Sequence, residues 1–217
     1  MQSEAQRFFS EEEQQVLEDI LLHRRDIRGN HFKSDLISGD NITKILQAGL
    51  STPSAGFSQP WEFVMIHDVE TKKAIKASFL EENETAKSLF LDDKQQQYTS
   101  LKLEGITKSP LNIAVFYTSK EEPVLGRTSM PDMGKCSVVC AIQNMWLMAR
   151  SLNIGVEWVS ILDPEKIKTI LNVPKDNQLI GYLCFGYTDK FYNKPELEIK
   201  KWDYKKLKYE VVIQEKY

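Results

Sequence analysis

The chain has 217 residues, of which 27% are charged and 41% hydrophobic, with 28 Lys and Arg against 31 Asp and Glu for a formal net charge of −3. That length suits one domain with an ordinary core, and a slightly negative balance carries no electrostatic footprint for nucleic acid. No apolar run reaches a membrane span, and Glu4, Arg7 and Glu11 to Glu13 stand where a signal peptide needs an apolar core, so a soluble, cytoplasmic protein with no membrane partner is expected.

The first expected element is a helix over 11 to 24. Ser10 with Glu13 forms a capping box, Glu11 and Glu12 favour the positive first turn, and Val16, Leu17, Ile20 and Leu21 recur at helical spacing. Where that helix runs out comes Arg24-Arg25-Asp26-Ile27-Arg28, three guanidiniums around one carboxylate. Arginine binds phosphate bidentately, and its flat cation suits a conjugated ring, so the pentapeptide predicts a site for a phosphorylated, planar ligand. A solvated basic turn complementing the helix dipole is an equal alternative on these residues alone. If the last turn persists, Arg24 and Arg28 are i,i+4 neighbours and reach one anion.

A second helix over 40 to 50 leads into Pro53-Ser54-Ala55-Gly56-Phe57-Ser58-Gln59-Pro60-Trp61 and a strand over 62 to 67. Such a turn is stiff, and its hydroxyl, amide and glycine backbone suit a polyhydroxylated chain. A helix over 71 to 80 comes next, then the polar stretch Glu81 to Lys102, which reads as an exposed helical pair or a lid. The order continues with a strand (112 to 118), a long loop (119 to 134), a helix (135 to 152), a strand (155 to 161), a helix (164 to 172) and a strand (179 to 187). These predict an α+β sandwich, helices packed on a small mixed sheet, with neither GxGxxG nor P-loop.

Period-two alternation puts Val156, Trp158 and Ser160 on one face of the third strand, with Glu157, Val159 and Ile161 on the other. Three cysteines without a CxxC pair fit a reducing compartment; Cys136 and Cys140, i,i+4 on one helix, read as core thiols. His23, His31 and His67 show no metal-site spacing, and no metal is expected. The Lys-rich stretch after Pro195 reads as a solvated tail ending in a short β-branched run, 209 to 213.

Taken in order and spacing, RRDIR, PSAGFSQPW, LKLEGI..SPLN, GRTSMPDM (126 to 133), AIQNMWLMARSLNIGVEWVSI (141 to 161) and YLCFGY (182 to 187) resemble the flavin-dependent nitroreductase superfamily over roughly residues 15 to 200. The resemblance implies a nitroreductase-like sandwich, one FMN domain over 1–217 with a lid at about 81–104. Its tail, at about 195–217, would cross to the partner of a homodimer and add a strand there. Many members carry Ser where this chain has Asp26, so Asp26 together with Ser160 points to a branch in which reduced FMN is the substrate. That branch fragments it with dioxygen to 5,6-dimethylbenzimidazole, the lower ligand of cobalamin, and erythrose 4-phosphate, and a separate reductase supplies the reduced flavin.

On this resemblance Asp26 and Ser160 are the catalytic residues, and Arg24, Arg25 and Arg28 meet the phosphate and the ring. Ser54 and Gln59 belong to the turn that touches the flavin, Ser160 and Leu111 approach the ring, and Lys194 closes the phosphate site. Asp26, sitting among cations, is expected to have a lowered pKa. Two positions depart from the pattern: Glu157 stands where Gly is expected, and Ser129 near an expected His. The alternatives are an FMN-dependent NAD(P)H nitroreductase or corrinoid reductase that retains its flavin, and a flavin-storage protein.

Overall fold

The computed structural model describes residues 6–101, 103–119 and 122–216. In chain order the elements are α1 (Glu11–His23), α2 (Gly39–Leu50), β1 (Trp61–Ile66), α3 (Val69–Ser88), α4 (Asp92–Ser100), β2 (Leu111–Tyr117), α5 (Met133–Ser151), β3 (Ile154–Val159), α6 (Pro164–Leu171) and β4 (Gln178–Tyr187), followed by the one-turn helices α7 (Glu196–Ile199) and α8 (Lys208–Val211).

β2 has no solvent face. All seven of its residues are buried, so it must lie inside a sheet covered on both sides. The sheet order is β1-β2-β4-β3, with β2 and β4 central. Leu111, Ile113 and Val115 join Leu183 and Phe185 of β4 in a core against α2 and α5. On the opposite face Ala114 and Phe116 join Tyr182 and Cys184 in a second core, with α3 and α6. Phe116 and Phe185 are completely buried, each contributing roughly 1.5–3 kcal/mol.

The expected mixed sheet is antiparallel in all its strand pairs, because each neighbour in the order runs opposite to the last. Among the described residues a parallel component survives only as an isolated bridge between Asp26 and Val156. α3 runs past its expected end into the polar stretch, and α4 completes a helical pair. The run at 209 to 213, expected as a strand, lies within or beside the exposed helical turn α8; without a neighbouring strand its amides bond locally. Cys136 and Cys140 are exposed rather than in the core, since the buried stripe of α5 runs through Val138, Ala141, Ile142, Met145 and Ala149. No helix among the described residues is long and apolar enough to cross a membrane.

Candidate functional site

The capping box forms as expected, with Ser10 Oγ accepting from the Glu13 amide at 3.3 Å and Glu13 Oε2 accepting from the Ser10 amide at 2.9 Å. The helix then stops one residue earlier than anticipated. Arg24 is already extended, at φ −65° and ψ 132°. From there the chain lies along the outer edge of β3, Asp26 bridging Val156 and the Ile27 amide donating to the Val156 carbonyl at 3.0 Å.

The change from helix to extended backbone re-sorts the pentapeptide. A period of two puts Arg24, Asp26 and Arg28 on one side and Arg25 and Ile27 on the other, so the i,i+4 pairing is replaced by two guanidiniums flanking a carboxylate. Ile27 enters the core. Arg25 donates to the carbonyls of Leu22, Arg24 and Asn193 at 2.7, 2.6 and 2.7 Å. It thereby satisfies orphan carbonyls at the end of α1 and clasps the C-terminal segment. It braces the site and also lines the cavity beside Asp26, its buried Nε without a partner among the described residues. Arg24 lies 4.9 Å from the Trp146 ring centre, a cation–π contact that orients its guanidinium.

Arg28 donates Nε to Asp26 Oδ2 at 2.6 Å. Asp26 Oδ1 and Arg28 Nη1, both buried, have no partner among the described residues. Asp26 retains 30% side-chain exposure, yet its pKa is raised, contrary to expectation. Burial outweighs the opposing pull of Arg28, the Trp158 amide and Arg24.

A cavity of about 160 Å³ adjoins these groups, lined by Arg24, Arg25, Asp26, Arg28, Pro195, Glu196 and Leu197. Lys194 stands at its margin, 69% exposed and 3.3 Å from Glu198. The polar helical pair is tied to this corner: Trp202 packs edge-on against Phe90, which stacks on Tyr98, and Lys94 lies 3.7 Å from the Trp202 ring centre. Ser160 follows β3 directly and is exposed, just past the end of the edge strand that Asp26 bridges at Val156.

Ser54 and Gln59 are elsewhere. Their turn precedes β1, where Ser54 Oγ accepts from the Gln59 amide at 3.0 Å and Ser137 Oγ accepts from the Ala55 amide at 3.1 Å. Gly56 has a positive φ of 58°, and a Cβ there would meet the Leu125 carbonyl at 2.7 Å, which seats the GRTSMPDM loop against the turn. Register places Trp61 and Asp26 at opposite corners of the sheet. Four strand spacings of about 4.8 Å and roughly six residues at about 3.3 Å amount to roughly 28 Å. One chain does not bring the two motifs together. Leu111, expected at the ring, has its side chain in the core.

Two features escape a reading of sequence alone. Phe57, 81% exposed, and Gln59 have positive φ without being glycine, the kind of backbone strain that gathers at functional sites. Their only signal was a stiff turn with an aromatic tip. Glu157 is buried beneath the arginine segment, and its signal was the departure from an expected glycine. Among the described residues no group of three or more His, Cys, Asp or Glu is placed to hold a metal ion.

A model of the nitroreductase family matches residues 21–187. The chain is 37% identical over 188 residues to a 5,6-dimethylbenzimidazole synthase of Rhodospirillum rubrum, covering 86% of this chain and 88% of that protein. Two solved structures share the fold. A BluB-like flavoprotein from Clostridium difficile 630 superposes with a TM-score of 0.69 at 20% identity, covering 92% of this chain and 99% of that one. An iodotyrosine deiodinase bound to FMN and 3-iodo-L-tyrosine gives 0.72 at 19% identity, covering 93% and 99%.

Proposed function

The chain belongs to the nitroreductase family, and on that premise we propose that it is a 5,6-dimethylbenzimidazole synthase, which takes reduced FMN and dioxygen and yields 5,6-dimethylbenzimidazole and erythrose 4-phosphate. The observation that carries this reading is Asp26, held between Arg24 and Arg28 beside the edge strand that leads to Ser160, in a chain 37% identical to a synthase of that name.

Reduced FMN, when bound, supplies both the electrons and the ring carbons of the product. The residues present fit it. Arg28 Nη1 and Asp26 Oδ1 are a buried donor and a buried acceptor left without partners, beside a cavity lined by three guanidiniums and by the carboxyl groups of Asp26 and Glu196. Arg24 and Arg28 would hold the phosphate and the polar edge of the ring, and Lys194 would join them by leaving Glu198. Asp26 holds or moves a proton at its Oδ1, and the Ser160 hydroxyl both donates and accepts near the ring. The α3–α4 pair, pinned through Trp202, serves as the lid that excludes water.

The site is shared between two copies of the chain. A separation of roughly 28 Å between Asp26 and Trp61, which follows the Ser54–Gln59 turn, leaves each chain with half of the site, and a two-fold partner supplies the other. Exposed Val16, Leu17, Leu21 and Leu22 of α1, and Tyr209, Val211, Val212 and Ile213 of the tail, support a homodimer with exchanged tails. The absence of any dinucleotide-binding fingerprint supports a separate flavin reductase, and three free cysteines suit a cytoplasmic setting. Asp26→Asn tests the reading: FMN binding should persist while benzimidazole formation falls by about a hundredfold or more. Unchanged formation would return Asp26 to a structural role.

A further inference from the structure

Glu157 points to the face of β3 opposite Val156 and Trp158, in a row with Cys184, Asn112 and Ile66, and is 2% exposed. Its Oε2 has no hydrogen-bond partner among the described residues. A Cβ on Gly105 would lie 2.8 Å from that oxygen and 2.5 Å from the Phe32 ring, so the loop backbone closes directly over it. A buried, unpaired carboxylate costs several kcal/mol if it carries charge.

The groups facing it come from three sides. The arginine segment presents Asp26, Arg28 and the Gly29 amide; the loop before β2 presents Glu104; β4 presents the buried thiol of Cys184. Glu104 has its own cation, Lys76 of α3, at 2.5 Å. Lys72, also of α3, is directed at Ser109 and Pro110 carbonyls, 3.0 and 2.9 Å away, and acts on the Cys184 side. Arg28 is thus the cation that acts on both carboxylates, and its Nε is committed to Asp26.

We propose that Asp26 and Glu157 form a two-carboxylate, one-proton unit around Arg28. In it Glu157 is a positioning residue that holds the shared proton and leaves Asp26 as the single anion beside Arg24 and Arg28. The anion settles on Asp26 because that carboxylate has the 2.6 Å bond to Arg28 and the Trp158 amide, whereas Glu157 has the Gly29 amide. Burial, and then the charge of Asp26, push the Glu157 carboxyl well above the usual range. A second negative charge here would oppose a phosphate; that consequence, unlike the proton count, rests on the flavin reading.

The test is carbon-13 NMR of the full chain with labelled glutamate carboxyls, Glu157 assigned through Glu157→Gln. The Glu157 carbon should keep its protonated position to a pH clearly above that of an ordinary glutamate, and Asp26→Asn should move its midpoint down. A midpoint at the ordinary glutamate value, or one indifferent to Asp26, overturns the proposal. FMN affinity, followed by quenching of flavin fluorescence, should weaken several-fold as pH passes the midpoint in the parent and hold steady in Glu157→Gln. Equal weakening in both overturns the unit's role at the site. Failure of every protein to bind FMN would instead refute the flavin reading and leave the NMR result standing.

Discussion

Exchanging Glu157 for Gln should change how stability depends on pH. In the unfolded chain a glutamate gives up its proton near the ordinary value of 4.5, but burial holds the folded carboxyl protonated well above that. Between those two points the folded state binds one more proton than the unfolded state. Stability from this group is therefore complete below about pH 4.5 and lost as pH rises through the folded value, by up to about 1.4 kcal/mol per pH unit. Gln keeps the shape and cannot titrate. Its amide brings N–H donors where Oε2 now has no partner, so near pH 4 the variant should be less stable by about 1–2 kcal/mol. From there the difference should shrink and then reverse with increasing pH. Asp26, also raised by burial, leaves a residual decline of the same sign in the variant. Urea unfolding at fixed protomer concentration from pH 4 to 8 measures this. Parallel curves for the two proteins would refute the reasoning.

Ser160→Ala should fold and bind FMN, since removing one exposed hydroxyl costs about 1 kcal/mol or less, but lose roughly a hundredfold in benzimidazole formation; product yield and bound flavin, measured together, decide it. Arg24→Ala should weaken FMN binding by about ten- to a hundredfold, the loss of one charge-assisted contact, with little change in melting temperature. Arg25→Ala should do the reverse in emphasis, lowering the melting temperature by several degrees through the freed carbonyls of Leu22 and Asn193. Mixing an Arg24→Ala chain with a Gln59→Ala chain should restore flavin binding at one site per mixed dimer, which titration against FMN would report; no recovery would argue against a shared site.

The elements were legible in the sequence wherever local chemistry and burial agree. Ser10 and Glu13 close their box, and Asp163 before Pro164 caps α6 with bonds to the Glu165 and Lys166 amides. The alternation in β3 sends Val156 and Val159 to opposite cores as read. What failed depended on partners distant in sequence. Pairing with Val156 turned a predicted helical turn into extended backbone, and gave Arg25 a bracing contact with the Asn193 carbonyl that the sequence does not show. The burial of Leu111 was not legible either, because it comes from β4 and α5. The raised pKa of Asp26 was hidden for a similar reason: its cations are written next to it, whereas the residues that desolvate it are not.

The central claim is that flavin is consumed. Purified protein given FMN, a chemical reductant and air, with flavin and products quantified by mass spectrometry over time, tests it directly. The account predicts loss of FMN matched by the appearance of 5,6-dimethylbenzimidazole and erythrose 4-phosphate; full recovery of intact FMN after repeated cycles of reduction and reoxidation would contradict it.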